Sequence, residues 1–169
     1  MHVGCTTREP PYYLPGMSDT YIVERTTSIQ ATPAEIYPHI VDLHRMEAWS
    51  PWDRLDPDMT RTYTGSDSGV GSRYSWSGNR KVGEGSMEIT HADENTRVDM
   101  DLVFLKPFKA ENKVWMILEP AGDVTRVTWS MSGRKALMTR VMGVFKSMDA
   151  MVGPDFESGL TNLKEVVEG

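Results

Sequence analysis

Between residues 59 and 133 the chain holds six consecutive segments in which apolar and polar side chains alternate with a period of two. These segments lie near residues 59–65, 70–77, 83–92, 96–105, 109–119 and 123–133. The links between them are short and rich in Gly, Pro, Asn and Asp, the residues that favour tight turns. Strands joined by short links pair as antiparallel hairpins, whereas parallel strands need a long crossover, usually a helix. We therefore predict a meandering antiparallel sheet rather than a doubly wound parallel one.

The segment before the meander adds one strand and two short helices. Residues 20–31 are rich in β-branched side chains, which brings the predicted total to about seven strands. Thr32 can cap a helix whose first residue is Pro33, and Glu35 completes a capping box. Because proline disrupts a helix interior, we predict that this helix ends at Pro38 and that a second short helical stretch covers residues 41–46.

The C-terminal part of the chain changes to a helical period. One stripe recurs at steps of three and four residues, which is typical of an amphipathic helix: Met138, Met142, Phe145, Asp149, Val152, Phe156, Leu160, Leu163 and Val167. Gly143, Gly153 and Pro154 are positions where it can bend or restart. With Pro154 as its first residue, the final stretch to Glu168 is ~22 Å long. Its apolar side needs a surface, and the sheet is the one available, so the predicted class is α+β with a curved sheet wrapped around a terminal helix.

Composition narrows the classes of partner. The formal charge is −6, from 24 acidic and 18 basic residues without a Lys/Arg cluster, which argues against nucleic-acid binding. No apolar run approaches the ~18 residues of a membrane helix, so we predict no stable membrane insertion. Cys5 is the single cysteine, which excludes an intramolecular disulfide and fits a reducing, cytoplasmic compartment.

The first residues have a different character from the rest. Residues 1–18 include Pro10, Pro11 and Pro15 and show no hydrophobic period, so we predict a flexible N-terminal arm, with Met17 as an alternative start. We predict that residues 19–169 form a single domain.

Several short motifs, in fixed order and spacing, resemble the START/Bet v 1-like (SRPBCC) superfamily over about residues 20–168. They are Trp49-Ser-Pro-Trp52, Asp56-Pro57, Tyr63-Thr-Gly65, Gly69-Val-Gly71, Trp76-Ser-Gly-Asn79, Val82-Gly83, Arg126-Val-Thr-Trp129 and the run from Met148 to Phe156. The likeness is to the bacterial polyketide cyclase/dehydrase and lipid-transport-like branch. It implies a helix-grip fold with an internal cavity for a small hydrophobic molecule.

Alternation along each strand selects the side chains that face the helix and line this cavity. Methionine side chains repack around differently shaped ligands, and aromatic rings give broad apolar walls. Trp49 and Trp52, on a turn stiffened by Pro51, form the cavity mouth or, equally, a plug against the end of the sheet. The predicted ligand-binding residues are Trp49, Trp52, Tyr74, Trp76, Met87, Ile89, Met100, Leu102, Phe104, Met116, Trp129, Met131, Met138, Met142, Phe145 and Phe156.

One strand does not fit a clean pattern. In residues 113–119 the outward set contains Trp115 and Ile117, so either that face meets a partner or the register is wrong by one residue. The whole apolar set also has a plainer interpretation, in which the residues fill one another's space as an ordinary core.

No strong catalytic or metal-binding pattern is present. His2, His39, His44 and His91 have no zinc-site spacing, and we predict neither a metal nor a cofactor. His91 and Tyr74 are weak candidates for proton transfer at the cavity rim, with His91 continuing the inward set at a strand end.

Two further patterns are discounted. We predict that Asp99 and Asp101 point away from the cavity and are either solvated or paired with Arg73, Lys113 or Arg126 across strands. The glycines from Gly65 to Gly71 lead into a strand, so they form a hairpin rather than a phosphate-binding loop.

Three functions follow. The first is binding or carriage of a hydrophobic small molecule without catalysis, which a filled interior would contradict. The second is a polyketide cyclase/dehydratase-type enzyme that uses the rim groups. The third is a protein-interaction module of the Hsp90-cochaperone-like type, acting through Trp115 and Ile117. A monomer and a homodimer both remain open.

Overall fold

The computed structural model of the protein describes residues 19–135 and 147–169, and a seven-stranded antiparallel sheet dominates it. The strands are β1 (Thr20–Ile29), β2 (Thr60–Gly65), β3 (Ser72–Ser77), β4 (Glu84–Asp93), β5 (Arg97–Lys106), β6 (Ala110–Ala121) and β7 (Val124–Arg134). Their order across the sheet is β1-β7-β6-β5-β4-β3-β2. Strands β2 to β7 therefore pair with their neighbours in sequence, which confirms the predicted meander, and β1 closes the far edge against β7.

The first helix, α1 (Pro33–Val41), starts at the predicted capping box. The Glu35 N–H donates to Thr32 Oγ1 at 3.3 Å, and the Thr32 N–H donates to Glu35 Oε2 at 2.7 Å. The prediction that α1 ends at Pro38 is wrong, because the helix continues to Val41. Ile36 and Ile40 lie one turn apart and are both fully buried, and this burial outweighs the hydrogen bond that proline cannot donate.

The second short helix differs from the predicted stretch over residues 41–46. It is a 3₁₀ turn, Arg45–Ala48, that follows the end of α1. Asp42 ends α1 in an extended conformation, and its carboxylate accepts the His44 N–H at 2.9 Å. That side-chain bond favours a turn over continued helix at this point.

The terminal helix, α2 (Met148–Glu168), lies on the concave face of the sheet and begins earlier than predicted. Ser147 caps it by accepting the Ala150 N–H at 3.2 Å. The predicted restart at Pro154 is wrong, since the helix runs unbroken through that residue. Met138, Met142, Phe145 and the predicted arm over residues 1–18 lie outside the described residues.

An arginine from β1 bridges the two sides of Pro154 in α2. Arg25 bonds Asp149, one turn before the proline, and Glu157, one turn after it, at 2.7 and 2.8 Å. Gly153 leaves the space for this guanidinium, because a Cβ there would lie 2.0 Å from Arg25 Nη2. The clamp ties both sides of the proline to the same strand.

The predicted inward register of β6 is confirmed. On β6, Val114, Met116 and Leu118 are at most 4% exposed, so the alternative register is wrong. Trp115 and Ile117 lie on the convex face, where the sheet neighbours of Trp115 are Asp99 and Ser130. Both apolar side chains are partly buried there.

Candidate functional site

A cavity of about 190 Å³ lies between the concave face of the sheet and α2. Its walls are mainly aromatic rings and methionine side chains, as the strand alternation predicts. The predicted residues that line it are Trp52, Tyr74, Trp76, Met87, Met100, Leu102, Phe104, Trp129, Met131 and Phe156.

Three predicted residues lie beside the cavity rather than on its wall. Ile89 and Met116 are completely buried core residues. Trp49 is also completely buried; its indole N–H donates to the His39 carbonyl at 2.9 Å, and its ring meets Trp129 edge-on at 5.3 Å. Of the two predicted positions for Trp49, the structure therefore favours the plug and not the mouth.

One wall is a row of aromatic side chains that crosses strands β2 to β5. Tyr63 stacks on Tyr74 at 5.1 Å, Tyr74 stacks on Trp76 at 5.8 Å, and Trp76 meets Phe104 edge-on at 5.9 Å. Gly85 on β4 makes room for the indole, because a Cβ there would lie 2.6 Å from Trp76 Cζ2. The result is a broad apolar surface without a bulky side chain in its middle.

The opposite wall joins β7 to α2. Trp129 and Phe156 stack face to face with ring centroids 4.1 Å apart and planes 3° from parallel. Trp52 meets both rings edge-on, at 5.8 and 6.3 Å. The six-membered ring of Trp129 fits against Gly159 of α2, where a Cβ would lie 2.6 Å from Cζ3. This packing fixes the orientation of the indole.

A polar cluster stands at the mouth between these walls. Arg61 on β2 holds Asp53 at 2.8 Å and lies 3.7 Å from Glu47, while the Tyr63 hydroxyl donates to Glu47. Asp53, Glu47 and Tyr63 all contribute to the cavity lining. These are among the few polar groups of a mainly apolar lining.

Tyr63 of this cluster and its stacking partner Tyr74 both have raised pKa values. Burial, followed by the hydrogen bond to Glu47, raises the pKa of Tyr63 well above its usual range. Burial, followed by the Asp53 charge, raises the pKa of Tyr74 to about 12. Near neutral pH both hydroxyls are therefore protonated and act as hydrogen-bond donors rather than as bases.

The loops beside the mouth are locked by side-chain to backbone bonds. Asp56, which is 9% exposed, accepts the Asn79 N–H at 2.7 Å and the Asp58 N–H at 3.1 Å. The Trp76 indole N–H donates to the Val82 carbonyl at 2.9 Å, in the turn that follows Asn79. These bonds link the loops that contain the Asp-Pro and Ser-Gly-Asn motifs, and so they hold the rim together.

Sequence reasoning missed about half of the lining. The additional lining residues are Leu43, Met46, Glu47, Ser50, Asp53, Met59, Tyr63, Lys81, Val82, Val114, Met148 and Val152. Tyr63 was accessible from strand alternation, since it is the cross-strand partner of Tyr74. Val114 belonged to the inward set, and Val152 to the helix stripe. Most of the other lining residues lie in the segment over residues 43–59, which folds back across the end of the sheet. The sequence of this segment has no hydrophobic period from which its inward side chains could be predicted.

The two weak catalytic candidates, Tyr74 and His91, lie in different places. Tyr74 lines the cavity, but the placement of His91 at the rim is wrong. A β-bulge between Ile89 and His91 reverses the alternation, so that His91 pairs with Asp99 on the convex face. Its ring lies 2.9 Å from Asp93 and is about half exposed.

Asp99 and Asp101 point away from the cavity, as predicted. Lys113 pairs with Asp101 at 2.5 Å, whereas Asp99 is held by Arg97 at 2.5 Å and not by Arg73 or Arg126. Within residues 19–135 and 147–169, no three His, Cys, Asp or Glu side chains converge as a metal site would require. No helix in the described part of the chain is long and apolar enough to cross a membrane.

A second depression lies on the outer surface, between the start of α1 and the turn that joins β6 to β7. It spans about 410 Å³, and its lining runs from Ala31 to Glu35 and from Pro120 to Thr125. It is larger than the internal cavity, but it is shallower and lined by a mixture of polar and apolar surface. The enclosed aromatic cavity is the better candidate for binding an apolar molecule.

Comparisons with other proteins agree with this architecture. Ara h 8.0201 superposes with a TM-score of 0.60 at 13% identity, over 88% of this chain and 97% of that one. The Aha1 dimer from Colwellia psychrerythraea superposes with a TM-score of 0.62 at 19% identity, over 88% of this chain and 96% of that one. CalU16 from Micromonospora echinospora superposes with a TM-score of 0.57 at 17% identity, over 88% of this chain and 85% of that one. At these identities the likeness shows the helix-grip fold alone, and no curated protein matches the sequence.

The family profile described as "Polyketide cyclase / dehydrase and lipid transport" matches residues 20–168. That range includes every described strand and helix and ends where α2 ends. The chain therefore belongs to this family and, with it, to the START/Bet v 1-like superfamily.

Proposed function

We propose that the protein binds a small, mainly apolar molecule in the cavity between the sheet and α2. The observation that carries this proposal is the unfilled space of about 190 Å³ between two aromatic walls. Protein interiors are close-packed, and voids larger than a water molecule are few. Flexible side chains such as Met87 and Met100 line the space, and they suit a binding surface that adapts to its ligand.

The size of the cavity limits the expected affinity. Burying ~400 Å² of ligand apolar surface contributes roughly 10 kcal/mol, and association costs about 4 to 15 kcal/mol. The net free energy of binding is then at most about 6 kcal/mol, so dissociation constants of tens of micromolar or weaker are expected. We propose binding or carriage without catalysis, because Asp53 is neutralised by Arg61 and the mouth tyrosines are donors at neutral pH.

The binding test uses a neutral fluorescent dye, N-phenyl-1-naphthylamine, and a variant that fills the cavity. In Met87→Trp a large ring replaces a lining side chain, and we expect dye affinity to fall at least tenfold. The control is Leu105→Trp, since Leu105 is 44% exposed on β5, and we expect unchanged affinity. Absence of dye binding to the wild type, or equal loss in both variants, would contradict the proposal. Native mass spectrometry of protein from its own host would show whether a small molecule copurifies.

A second candidate, a cyclase/dehydratase-type enzyme, is favoured by the hydroxyl groups at the mouth. Tyr74 faces the cavity beside Arg61 and keeps its proton, so it is suited to donate a hydrogen bond or a proton to a bound carbonyl. If the copurified molecule is converted, Tyr74→Phe should abolish conversion while binding persists. Conversion that continues in this variant would remove Tyr74 from the mechanism.

A further inference from the structure

Lys81 is the only cationic residue in the described lining of the cavity, and it is exposed, so it stands where the cavity meets solvent. Its ammonium group forms no ion pair and no hydrogen bond with a described residue. Lys106, Lys113 and Lys164, by contrast, each pair with an acidic side chain. An ammonium group offers three hydrogen-bond donors, so Lys81 presents an unused positive charge at the cavity mouth.

The turn that carries Lys81 is held in place by hydrogen bonds. Asn79 Oδ1 accepts the Lys81 N–H at 2.9 Å and the Val82 N–H at 3.3 Å. The Asn79 N–H donates in turn to the Asp56 carboxylate at 2.7 Å, and the Trp76 indole N–H donates to the Val82 carbonyl. The backbone at Lys81 is therefore fixed at the rim, whereas its side chain is free to turn toward a bound molecule.

The acidic residues of the lining already have partners. Asp53 is held by Arg61 at 2.8 Å, and Glu47 accepts the Tyr63 hydroxyl. Lys81 therefore depends on solvent to stabilise its charge. An apolar molecule that enters the cavity displaces part of this solvent, and a cation that loses hydration without a compensating charge raises the free energy of the complex.

The exposed rim around Lys81 carries an excess of positive charge. The loops over residues 53–59 and 78–83 contain one exposed acid, Asp58, and three exposed cations: Arg54, Arg80 and Lys81. Neither arginine forms an ion pair with a described residue. The whole chain has a formal charge of −6, so this excess runs against the overall balance. Surface charge of one sign raises the local concentration of small ions of the opposite sign.

We propose that the bound molecule carries a carboxylate at one end, which pairs with Lys81 at the mouth while the apolar body fills the aromatic cavity. This inference rests on the proposed binding function and specifies its ligand class, a small apolar acid. A carboxylate at the rim keeps part of its hydration, so it avoids the cost of a fully buried ion, and it compensates the charge of Lys81. One lysine on the lining matches the single charge of a carboxylate, whereas a phosphate monoester brings nearly two.

The test compares 2-naphthylacetic acid with 2-naphthylacetamide, two probes of similar shape that differ in charge at neutral pH. Each is titrated by calorimetry into the wild type, Lys81→Gln, Lys81→Arg and Arg80→Gln. The last variant is the matched control, because it removes an exposed cation of the same turn that does not line the cavity. We expect the preference for the acid to fall about fivefold in Lys81→Gln, equivalent to about 1 kcal/mol. It should persist in Lys81→Arg and change no more than about twofold in Arg80→Gln.

Salt dependence gives a second readout. Raising NaCl from about 0.05 M to about 0.5 M should weaken binding of the acid to the wild type but leave binding of the amide unchanged, and Lys81→Gln should reduce this salt effect. A wild type that binds the amide as well as the acid, or an acid preference that survives in Lys81→Gln, would overturn this inference while leaving the binding function intact. An equal loss of preference in Arg80→Gln would also overturn it, because the charge of the whole rim would then be responsible. If neither probe binds the wild type and the fluorescent dye also fails, both proposals are wrong.

Discussion

Replacing Phe156 with alanine tests whether the ring stack is the main attachment of α2 to the sheet. Phe156 is 1% exposed and lies parallel to Trp129 at 4.1 Å. Truncating a buried phenylalanine to alanine costs about 3–5 kcal/mol, through lost transfer energy and the space left behind. The new space would join the existing cavity of about 190 Å³, which limits collapse, and the ring stack is lost as well. We therefore expect Phe156→Ala to lower the free energy of unfolding by about 4 kcal/mol, which is more than most single substitutions cost.

Urea unfolding at 25 °C and a thermal scan measure this loss. For a chain of this length each kcal/mol lowers Tm by about 2–4 °C, so Phe156→Ala should lower it by about 8–16 °C. Phe156→Leu keeps most of the apolar volume but not the stack, and should cost about 1–2 kcal/mol. Val166→Ala is the control on the same helix, because Val166 is 37% exposed, and should change stability by no more than about 0.5 kcal/mol.

The outcome that refutes this reasoning is specific. A loss below about 1 kcal/mol in Phe156→Ala, with an unchanged urea m-value, would mean that the ring contributes little to the attachment of α2. The Arg25 clamp would then be the main attachment, although its acidic partners are more than half exposed and such pairs contribute little.

Three further predictions concern the walls, the rim and the pH dependence. Gly159→Ala places a methyl group 2.6 Å from the Trp129 ring. Overpacking should cost about 2 kcal/mol and the higher helix propensity of alanine should return about 1 kcal/mol, so the free energy of unfolding should fall by about 1 kcal/mol. Dye binding should also weaken, because the displaced ring lines the cavity. Asp56→Ala removes the buried acceptor of the Asn79 N–H and should cost about 2 kcal/mol in urea unfolding. Burial raises the pKa of Tyr21 to about 12; its contribution to stability is present below pH 10 and is lost as the pH rises toward 12, so the urea midpoint should fall over that interval.

Each of these predictions has a matched comparison. Ser158→Ala, an exposed change on the same helix, should retain dye binding; an equal loss of binding in both variants would contradict the wall argument. Asp58→Ala alters an exposed carboxylate of the same loop and should cost less than about 0.5 kcal/mol. In Tyr21→Phe the urea midpoint should fall less steeply between pH 10 and pH 12 than in the wild type. If it falls equally steeply, other groups cause the loss of stability.

Strand positions facing the helix were predictable because a strand has one simple period. Met100, Met131 and Trp129 line the cavity for that reason, and the capping box at Thr32 was readable from four residues of sequence. His91 shows where the same rule fails. The bulge after Ile89 inserts one residue into β4, and nothing in the local alternation signals it.

The mouth was not predictable, because it depends on contacts between distant parts of the chain. Arg61 meets Asp53 and Glu47 only after the segment before β2 folds back over the sheet end. Tertiary contacts of this kind have no sequence period. The sequence also does not reveal that the indole N–H of Trp129 is buried without an acceptor among the described residues, since this is a property of the folded surroundings and not of the residue.

The cavity persists because its walls are fixed from outside and cannot close on each other. Trp76 is held by its bond to the Val82 carbonyl and fits over Gly85, while Trp129 is wedged against Gly159. The Arg25 clamp holds α2 at its first turns. Relaxing either wall inward would break these contacts, so the space is a consequence of the same interactions that stabilise the fold.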